Sequence, residues 1–171
     1  NFLSDVYVGM ALIHFYSGDI SKAEVYAEKA MEKGLISYGE FNPNMTFVYT
    51  TYANILEAKK KYNESITLLE KNLKIRKSTY GEWHRWTCET YYDLANAYIL
   101  VKNYDKAEIY YKKAIAIGKK INSDQYLANA RNFLAQLYLD RKIHLDESER
   151  LLQASLETNI HIYGNKSDLV A

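Results

Sequence analysis

The sequence predicts an all-α fold in which antiparallel helical hairpins stack into a right-handed α-solenoid. The first observation is an internal repeat: a segment beginning "SYGEF" at Ser37 returns as "TYGEW" at Thr79, 42 residues later. The second is helical spacing of apolar residues in both halves of each copy. The third is a small residue at a shared repeat position in each half. A single hairpin cannot bury its apolar face alone, which predicts that neighbouring copies stack.

Four copies follow one another along the 171 residues. Because the sequence starts without an initiator methionine and neither end resembles a polar cap, we expect a fragment of a larger protein. We expect a single array over residues 1–171. Its approximate repeats are 1–37, 38–79, 80–121 and 122–162, and residues 163–171 resemble the start of a fifth.

Within each copy, the apolar pattern predicts two helices joined by a tight turn. The first helix of the third copy has one apolar face, at Tyr91, Leu94, Ala95 and Tyr98. The second helix has its apolar face at Ala107, Tyr111 and Ala114. Small residues recur where two helices would lie closest. They are Ala11, Ala53, Ala95 and Ala135 in the first helices, and Ala23, Ser65, Ala107 and Ser148 in the second.

The charge balance argues against nucleic-acid binding. The chain has 22 Lys and Arg against 21 Asp and Glu, a formal net charge of +1, and no block of one sign. The 17 tyrosines could stack bases, but many lie at predicted core positions such as Tyr7, Tyr49 and Tyr91. No apolar run reaches the roughly 18 residues needed to cross a bilayer, so we expect no membrane segment either.

The sequence contains no group of residues with the spacing of a catalytic, cofactor or metal site. Its one cysteine, Cys88, has no second cysteine or paired histidine at ligand spacing. A single cysteine also cannot form an internal disulfide, which fits a reducing compartment. We therefore expect a cytoplasmic protein without catalysis, cofactors or metals.

The stretch "YGEWHRWTCE", which contains Cys88 and both tryptophans, aligns with the connector that follows the second hairpin helix one copy earlier. Trp83 takes the place of Phe41, and we expect both rings to pack against the preceding helix. Trp86 takes the place of the polar Asn44, which predicts that it is the more exposed tryptophan. The stretch is therefore interpreted as a connector between hairpins, without chemistry of its own.

The repeat resembles the tetratricopeptide repeat (TPR). The matching residues in the third copy are Leu94, Ala95, Tyr98, Tyr104, Ala107, Tyr111 and Ala114, with their equivalents in the other copies. The 42-residue spacing is most similar to the long variant found in kinesin light chains. This resemblance implies a non-catalytic module that binds a peptide or a partner helix in a concave groove, but it does not identify the partner.

In this family, the first helices line the groove, and the residue after the small residue faces into it. The resemblance therefore places Leu12, Asn54, Asn96 and Gln136 in the groove. Asn and Gln offer both donors and acceptors, which suits them to hold the main chain of an extended peptide. Neighbouring positions would provide selectivity, and they include Thr50, Tyr92, Asn132 and Phe15.

Alternative functions remain open at this point. The array could be a sensor, scaffold or oligomerisation segment that regulates a protease, kinase or DNA-binding domain elsewhere in a larger protein. Self-association through the open ends is a further alternative. Recognition of a terminal carboxylate is disfavoured, because Glu89 and Asp93 stand where that family function would require cations.

Overall fold

The structure, a computed structural model, describes residues 2–164, without the side chains of residues 162 and 163. The predicted start of a fifth copy, residues 163–171, therefore lies almost wholly outside the described residues. Within the described range every regular element is an α-helix, which confirms the predicted all-α repeat fold. The helices are α1 (Phe2–Tyr16), α2 (Ile20–Tyr38), α3 (Met45–Ala58), α4 (Tyr62–Tyr80), α5 (Arg85–Leu100), α6 (Tyr104–Lys120), α7 (Asp124–Arg141) and α8 (Leu145–Tyr163).

The chain divides into two compact units, Asn1–Gly81 and Glu82–Ala171. Unit 1 contains the hairpins α1/α2 and α3/α4, and unit 2 contains α5/α6 and α7/α8. Within each unit, consecutive helices pack on one another, and the two first helices of the unit also touch. Each unit is thus a pair of stacked hairpins.

The turn inside each hairpin contains a residue in the left-handed region of backbone space at a shared repeat position, and the fourth turn contains a second one, His144, with a φ of 47°. Gly18 occupies this repeat position in the first hairpin, with a φ of 83°. Lysines occupy it in the other three, at Lys60, Lys102 and Lys142, with φ between 54° and 62°. After two of these turns, an acidic or amide side chain caps the second helix: Asp19 accepts from the Lys22 amide, and Asn103 from the Lys106 amide.

The predicted small residues lie at the close approach of the helices. All eight of them, from Ala11 to Ser148, are fully buried. The tyrosines expected in the core are also confirmed: Tyr49, Tyr91 and Tyr111 are fully buried, and Tyr7 is half-buried against the first core cluster. Larger side chains at the small positions would separate the helices of a hairpin.

A side-chain hydrogen bond joins the two helices of each hairpin at one shared pair of repeat positions. The donor lies on the first helix in the first and third hairpins and on the second helix in the other two. The bonds run from Ser4 to the Ala30 carbonyl (2.9 Å), from Asn72 to the Thr46 carbonyl (3.3 Å), from Cys88 to the Ala114 carbonyl (3.3 Å) and from Ser155 to the Ala128 carbonyl (2.9 Å). The thiol of Cys88 therefore does structurally what the hydroxyl of Ser4 does in the first hairpin.

The two hairpins of a unit meet at a glycine. In unit 1, a Cβ atom on Gly34 would lie 2.7 Å from the sulfur of Met45 on the next first helix. In unit 2, a Cβ atom on Gly118 would lie 3.2 Å from the Cβ atom of Leu127. The absence of a side chain at these two positions permits the close contact between hairpins.

Candidate peptide-binding site in unit 2

A cleft of about 490 Å³ lies between the first helices of unit 2. Its walls are mainly apolar, and its rim carries two carboxamides and two charged groups. The apolar and aromatic lining consists of Ile99, Leu100, Tyr104, Tyr111, Phe133 and Leu137. The polar lining consists of Asn96, Gln136, Asp140 and Arg141.

The floor of the cleft is formed by Tyr111, which reaches it from α6. Its ring is 1% exposed, and its hydroxyl donates a 2.5 Å hydrogen bond to Oδ1 of Asn96 on α5. Burial raises the pKa of Tyr111, so the phenol stays protonated and acts as the donor. This bond fixes the carboxamide of Asn96 at the edge of the cleft.

Three aromatic rings form one cluster beside this floor. Phe133 of α7 stacks on Tyr111, with ring centroids 6.4 Å apart, and meets the edge of Tyr92 at 5.6 Å. Tyr92 and Tyr111 are 6.2 Å apart. Each such pair contributes about 0.5–1.5 kcal/mol beyond the burial of area. Phe133 nevertheless keeps 43% of its surface exposed, so an apolar ring remains available at the mouth of the cleft.

The polar rim is held by contacts within the unit. The Nε2 atom of Gln136 donates to Oδ1 of Asp140 at 2.8 Å. The guanidinium of Arg141 lies 3.4 Å from a carboxylate oxygen of Asp105 and 5.4 Å from the ring centroid of Tyr104. Because each charged group of the rim already has a contact, a neutral ligand would enter without leaving a new charge unpaired.

Three residues proposed from the sequence come together in this site: Tyr92, Asn96 and Gln136. Burial raises the pKa of Tyr92, while a hydrogen bond from Asn96 acts in the opposite direction. Asn132, also proposed from the sequence, lines a different hollow between α7 and α8. It therefore belongs to another surface of the same unit.

The other proposed residues lie in unit 1, where two of them take part in packing. Leu12 packs against the core cluster around Val8 and Tyr49, and Phe15 packs against the cluster around Ala11.

Thr50 and Asn54, the remaining proposed residues of unit 1, differ in their surroundings. The hydroxyl of Thr50 donates to the Thr46 carbonyl at 3.0 Å and accepts from Nδ2 of Asn72 at 2.7 Å. Asn54 is exposed. Of the proposed polar residues in unit 1, only Asn54 presents its side chain openly to solvent.

Sequence reasoning missed Phe133 and assigned Tyr111 to the core without a role in the cleft. Phe133 shares its repeat position with Gly9, Thr51 and Asp93. An aromatic residue at a position that is small or polar in every other copy was the available signal for an exposed apolar wall.

The predicted exposures of the tryptophans were wrong. Trp83 is 51% exposed, whereas Trp86 is the less exposed of the two. Phe41, the equivalent of Trp83, is 55% exposed and is not buried in its unit. A lysine of the following second helix lies over each exposed ring, Lys74 over Phe41 at 4.8 Å and Lys120 over Trp83 at 4.0 Å. These cation–π contacts keep one ring face covered and leave the other in solvent.

Cys88 lies at the interface of α5 and α6 and is fully buried. Burial raises the pKa of its thiol to about 11, so the reactive thiolate is rare at neutral pH. Within residues 2–164, the structure contains no group of three His, Cys, Asp or Glu side chains that could hold a metal ion.

Residues 44–120 match the family model of the tetratricopeptide repeat. This stretch of the chain contains tetratricopeptide repeats. Repeats of this family are generally protein–protein interaction modules and non-catalytic scaffolds. No curated protein matches the sequence. None of the helices among the described residues is long and apolar enough to cross a membrane.

Solved structures share the fold at low sequence identity. BtubC (BKLC) from P. vanneervenii has a TM-score of 0.88 at 17% identity over 95% of this chain and 65% of that chain. The TPR-like repeats of a putative kinesin light chain from Podosopora anserina give 0.78 at 18% identity, covering 94% and 77%. Aspartyl phosphate phosphatase F from Bacillus subtilis gives 0.82 at 16% identity, covering 94% and 41%. The TPR chain thus spans about two thirds of the first of these structures and less than half of the last.

Proposed function

We propose that this TPR chain is a non-catalytic interaction module that binds a peptide or a partner helix in the cleft of unit 2. The observation that carries the proposal is the cleft itself, about 490 Å³ in volume, with an exposed aromatic wall and a carboxamide on each facing helix. An apolar concavity with a few convergent polar groups is the usual form of a binding site.

The two carboxamides offer complementary groups to a peptide main chain. Tyr111 occupies Oδ1 of Asn96, and Tyr92 receives a hydrogen bond from the same carboxamide, so the second N–H of Asn96 is the donor left for a ligand. Asp140 occupies Nε2 of Gln136, so the carbonyl oxygen of Gln136 serves as an acceptor. One donor and one acceptor on opposite walls match the alternating N–H and C=O groups of a peptide. Each bond would contribute about 0.5–1.5 kcal/mol net.

Affinity would come mainly from the apolar wall. Phe133 and Leu100 remain 43% and 42% exposed beside the cleft, so a ligand side chain inserted there removes apolar area from water. Burying one large aliphatic or aromatic side chain contributes about 1.5–3 kcal/mol, more than either carboxamide. The carboxamides then fix the register of a ligand whose affinity depends on its apolar anchor.

The proposal is tested by selecting peptides from a displayed library on the 171-residue chain and titrating the enriched peptides by fluorescence anisotropy. Phe133→Ala is expected to weaken binding by about tenfold or more. Gln136→Ala is expected to weaken it by a smaller factor. Circular dichroism checks that each variant keeps its helicity.

The internal repeat provides a matched control, because Asn54 in unit 1 occupies the same repeat position as Gln136. Asn54→Ala is expected to leave binding unchanged. If Asn54→Ala weakens binding as much as Gln136→Ala, the carboxamides of both units take part, as the sequence suggested. If the enriched peptides bind the Phe133→Ala variant with unchanged affinity, or if no peptides enrich, the cleft is not the binding site.

The alternative, a sensor or scaffold segment that regulates an effector, is compatible with the same cleft. The chain spans 41% of aspartyl phosphate phosphatase F, so a fold of this kind also occurs within a longer protein. Sedimentation of the chain with and without a selected peptide separates the two functions. An adaptor keeps its protein mass, whereas a scaffold regulated through self-association changes it.

A further inference from the structure

One carboxylate on the wall of the cleft in unit 2 is hydrogen-bonded to a neutral group instead of a cation. Asp140 lines the cleft and is exposed. Its Oδ1 atom accepts a hydrogen bond from Nε2 of Gln136 at 2.8 Å. A carboxylate has about four lone-pair sites on its two oxygens, and a carboxamide carries no net charge. The contact therefore uses part of the hydrogen-bonding capacity of Asp140 and leaves its negative charge in the cleft.

The neighbouring cations are paired with other acids. The guanidinium of Arg141 lies 3.4 Å from Asp105, and Nζ of Lys112 lies 2.8 Å from Glu108. In the part of the chain that the structure describes, no basic side chain comes within ion-pair distance of Asp140. The cleft therefore presents a negative charge that is available to a basic group of a ligand.

The distance from Asp140 to the apolar wall is set by a single helix. Phe133 and Asp140 both line the cleft from α7 and are seven residues apart in the sequence. A helix rises about 1.5 Å per residue, which separates their backbones by about 10 Å along the helix axis. An extended peptide covers that distance in about three residues, at about 3.3 Å each. Gln136 lies between the two, where it can hold the main chain that connects an apolar side chain to a basic one.

We propose that the cleft selects peptides in which a lysine or arginine lies two to four residues from a large apolar residue. The apolar side chain packs on Phe133, and the basic group pairs with the carboxylate of Asp140. This inference rests on the proposed function of the same cleft and adds the chemistry of its ligand. An exposed ion pair changes affinity by about two- to fivefold, so the basic residue determines selectivity more than affinity.

The charges of the cleft disfavour the opposite choice, an acidic peptide. A ligand carboxylate would have to approach Arg141, whose guanidinium already lies beside Asp105 and over the ring of Tyr104. It would also come close to Asp140, the adjacent residue on α7, and like charges repel. A basic group meets attraction from Asp140 and competes with no existing ion pair.

The test uses a displayed library of random peptides, selected on the 171-residue chain. We expect the enriched sequences to contain lysine or arginine near a large apolar residue more often than the unselected library does. Each enriched peptide is synthesised with a fluorescent label, together with a version in which glutamine replaces the basic residue. Glutamine is expected to weaken binding about two- to fivefold at low salt, and less at high salt, since salt screens an exposed ion pair. Fluorescence anisotropy measures both affinities.

Asp140→Asn isolates the charge, because asparagine keeps an oxygen that can accept from Gln136. The basic peptide and its glutamine version are expected to bind this variant with nearly equal affinity. Asp146→Asn is the matched control, since it removes the same charge from an exposed position on α8, which does not line the cleft. This control should leave the preference for the basic peptide unchanged.

The outcomes distinguish this inference from the proposed function. If the enriched peptides lose binding to Phe133→Ala but carry no excess of basic residues, or keep their preference in Asp140→Asn, the cleft binds peptides and the inference is wrong. If acidic peptides enrich and Arg141→Gln removes their preference, Arg141 selects the ligand and the inference is again wrong. If no peptide depends on Phe133, the proposed function and the inference fail together.

Discussion

The two units place different side chains at the same point between their hairpins. In unit 2, Tyr111 and Ile99 border the cleft. Their equivalents in unit 1 are Ala27 and Phe15, and Phe15 packs against the cluster that contains Ala27. A large residue on the second helix supports an open cleft in unit 2, whereas a large residue on the first helix fills the corresponding space in unit 1. The presence of the cleft in unit 2 therefore depends on a few side chains carried by a common backbone.

Comparing the two units also shows an arrangement of side chains that repeats every two hairpins instead of every hairpin. In the first hairpin of unit 1, Tyr26 stacks between Tyr7 and His14, with Lys29 over two of the rings. The first hairpin of unit 2 repeats this arrangement. There the stacked rings are Tyr91, Tyr110 and Tyr98, and the cation is Lys113.

The second hairpins of both units lack this stack, because Leu68 and Leu151 take the place of the middle tyrosine. Gly34 and Gly118, likewise, lie only in first hairpins. The structural period is thus two hairpins, although the sequence period is one.

Tyr111→Ala is expected to produce the largest effect, lowering the free energy of unfolding by about 3–5 kcal/mol, because it removes a fully buried ring. Urea unfolding followed by circular dichroism measures the change. Unit 1 has alanine at this position, but there Phe15 fills the space. A loss below about 1 kcal/mol would mean that α6 and α7 collapse onto the gap.

The two interhairpin glycines should respond differently to the same substitution. Gly118→Ala is expected to lower the free energy of unfolding by about 1–2 kcal/mol, because its Cβ would lie 3.3 Å from the Cα atom of Leu127. Gly34→Ala is expected to stay within about 1 kcal/mol of the parent, because the flexible thioether of Met45 can move aside. Thermal unfolding of the two variants gives the order. The reverse order would show that the backbone at Leu127 adapts more easily than the side chain of Met45.

Tyr111→Phe tests the hydrogen bond that holds Asn96. Loss of this bond is expected to lower the free energy of unfolding by about 1 kcal/mol. The side-chain amide signals of Asn96 should also shift in a ¹H–¹⁵N spectrum, while those of Asn54 stay in place as the control from unit 1. Unchanged Asn96 signals would contradict the role given to Tyr111.

Cys88→Ser should have the smallest effect, within about 0.5 kcal/mol, because serine forms the equivalent bond in the first hairpin, at Ser4. The native thiol should also react slowly with 5,5′-dithiobis(2-nitrobenzoate). With a pKa of about 11, roughly one thiol in a thousand is ionised at pH 8, since burial disfavours the charged thiolate. Unfolding in urea should restore a normal rate. A fast native reaction would mean that α5 and α6 open readily.

Repeat spacing was enough to predict the helices and the small residues between them. Ala95 and Ala107 could be placed because a small residue at the same position in every copy has one simple explanation, a close helix crossing. The exposure of Trp83 could not be predicted in this way. Periodicity shows that a connector position is apolar, but it does not show that a lysine from a later helix will cover only one ring face.

The candidate site was predicted only in part. Asn96 and Gln136 could be selected from the repeat because each directly follows the alanine at the small-residue position of its copy. The cleft between them depends on Tyr111 and Phe133, which belong to different hairpins and differ from their equivalents in unit 1, Ala27 and Thr51. Averaging over the copies hides such departures, so a sequence alignment of repeats locates the scaffold more readily than the site.

The left-handed turns have a consequence for how this surface can change over time. Lys60, Lys102 and Lys142 hold a backbone conformation that glycine, as at Gly18, adopts without steric cost. Exchanging one of these lysines for glycine could therefore offset part of the folding stability that a substitution elsewhere in the array removes. An interaction surface evolves new specificity through substitutions that often weaken the fold. These three turns give the array a local means of compensation that lies away from the side chains of the proposed binding site.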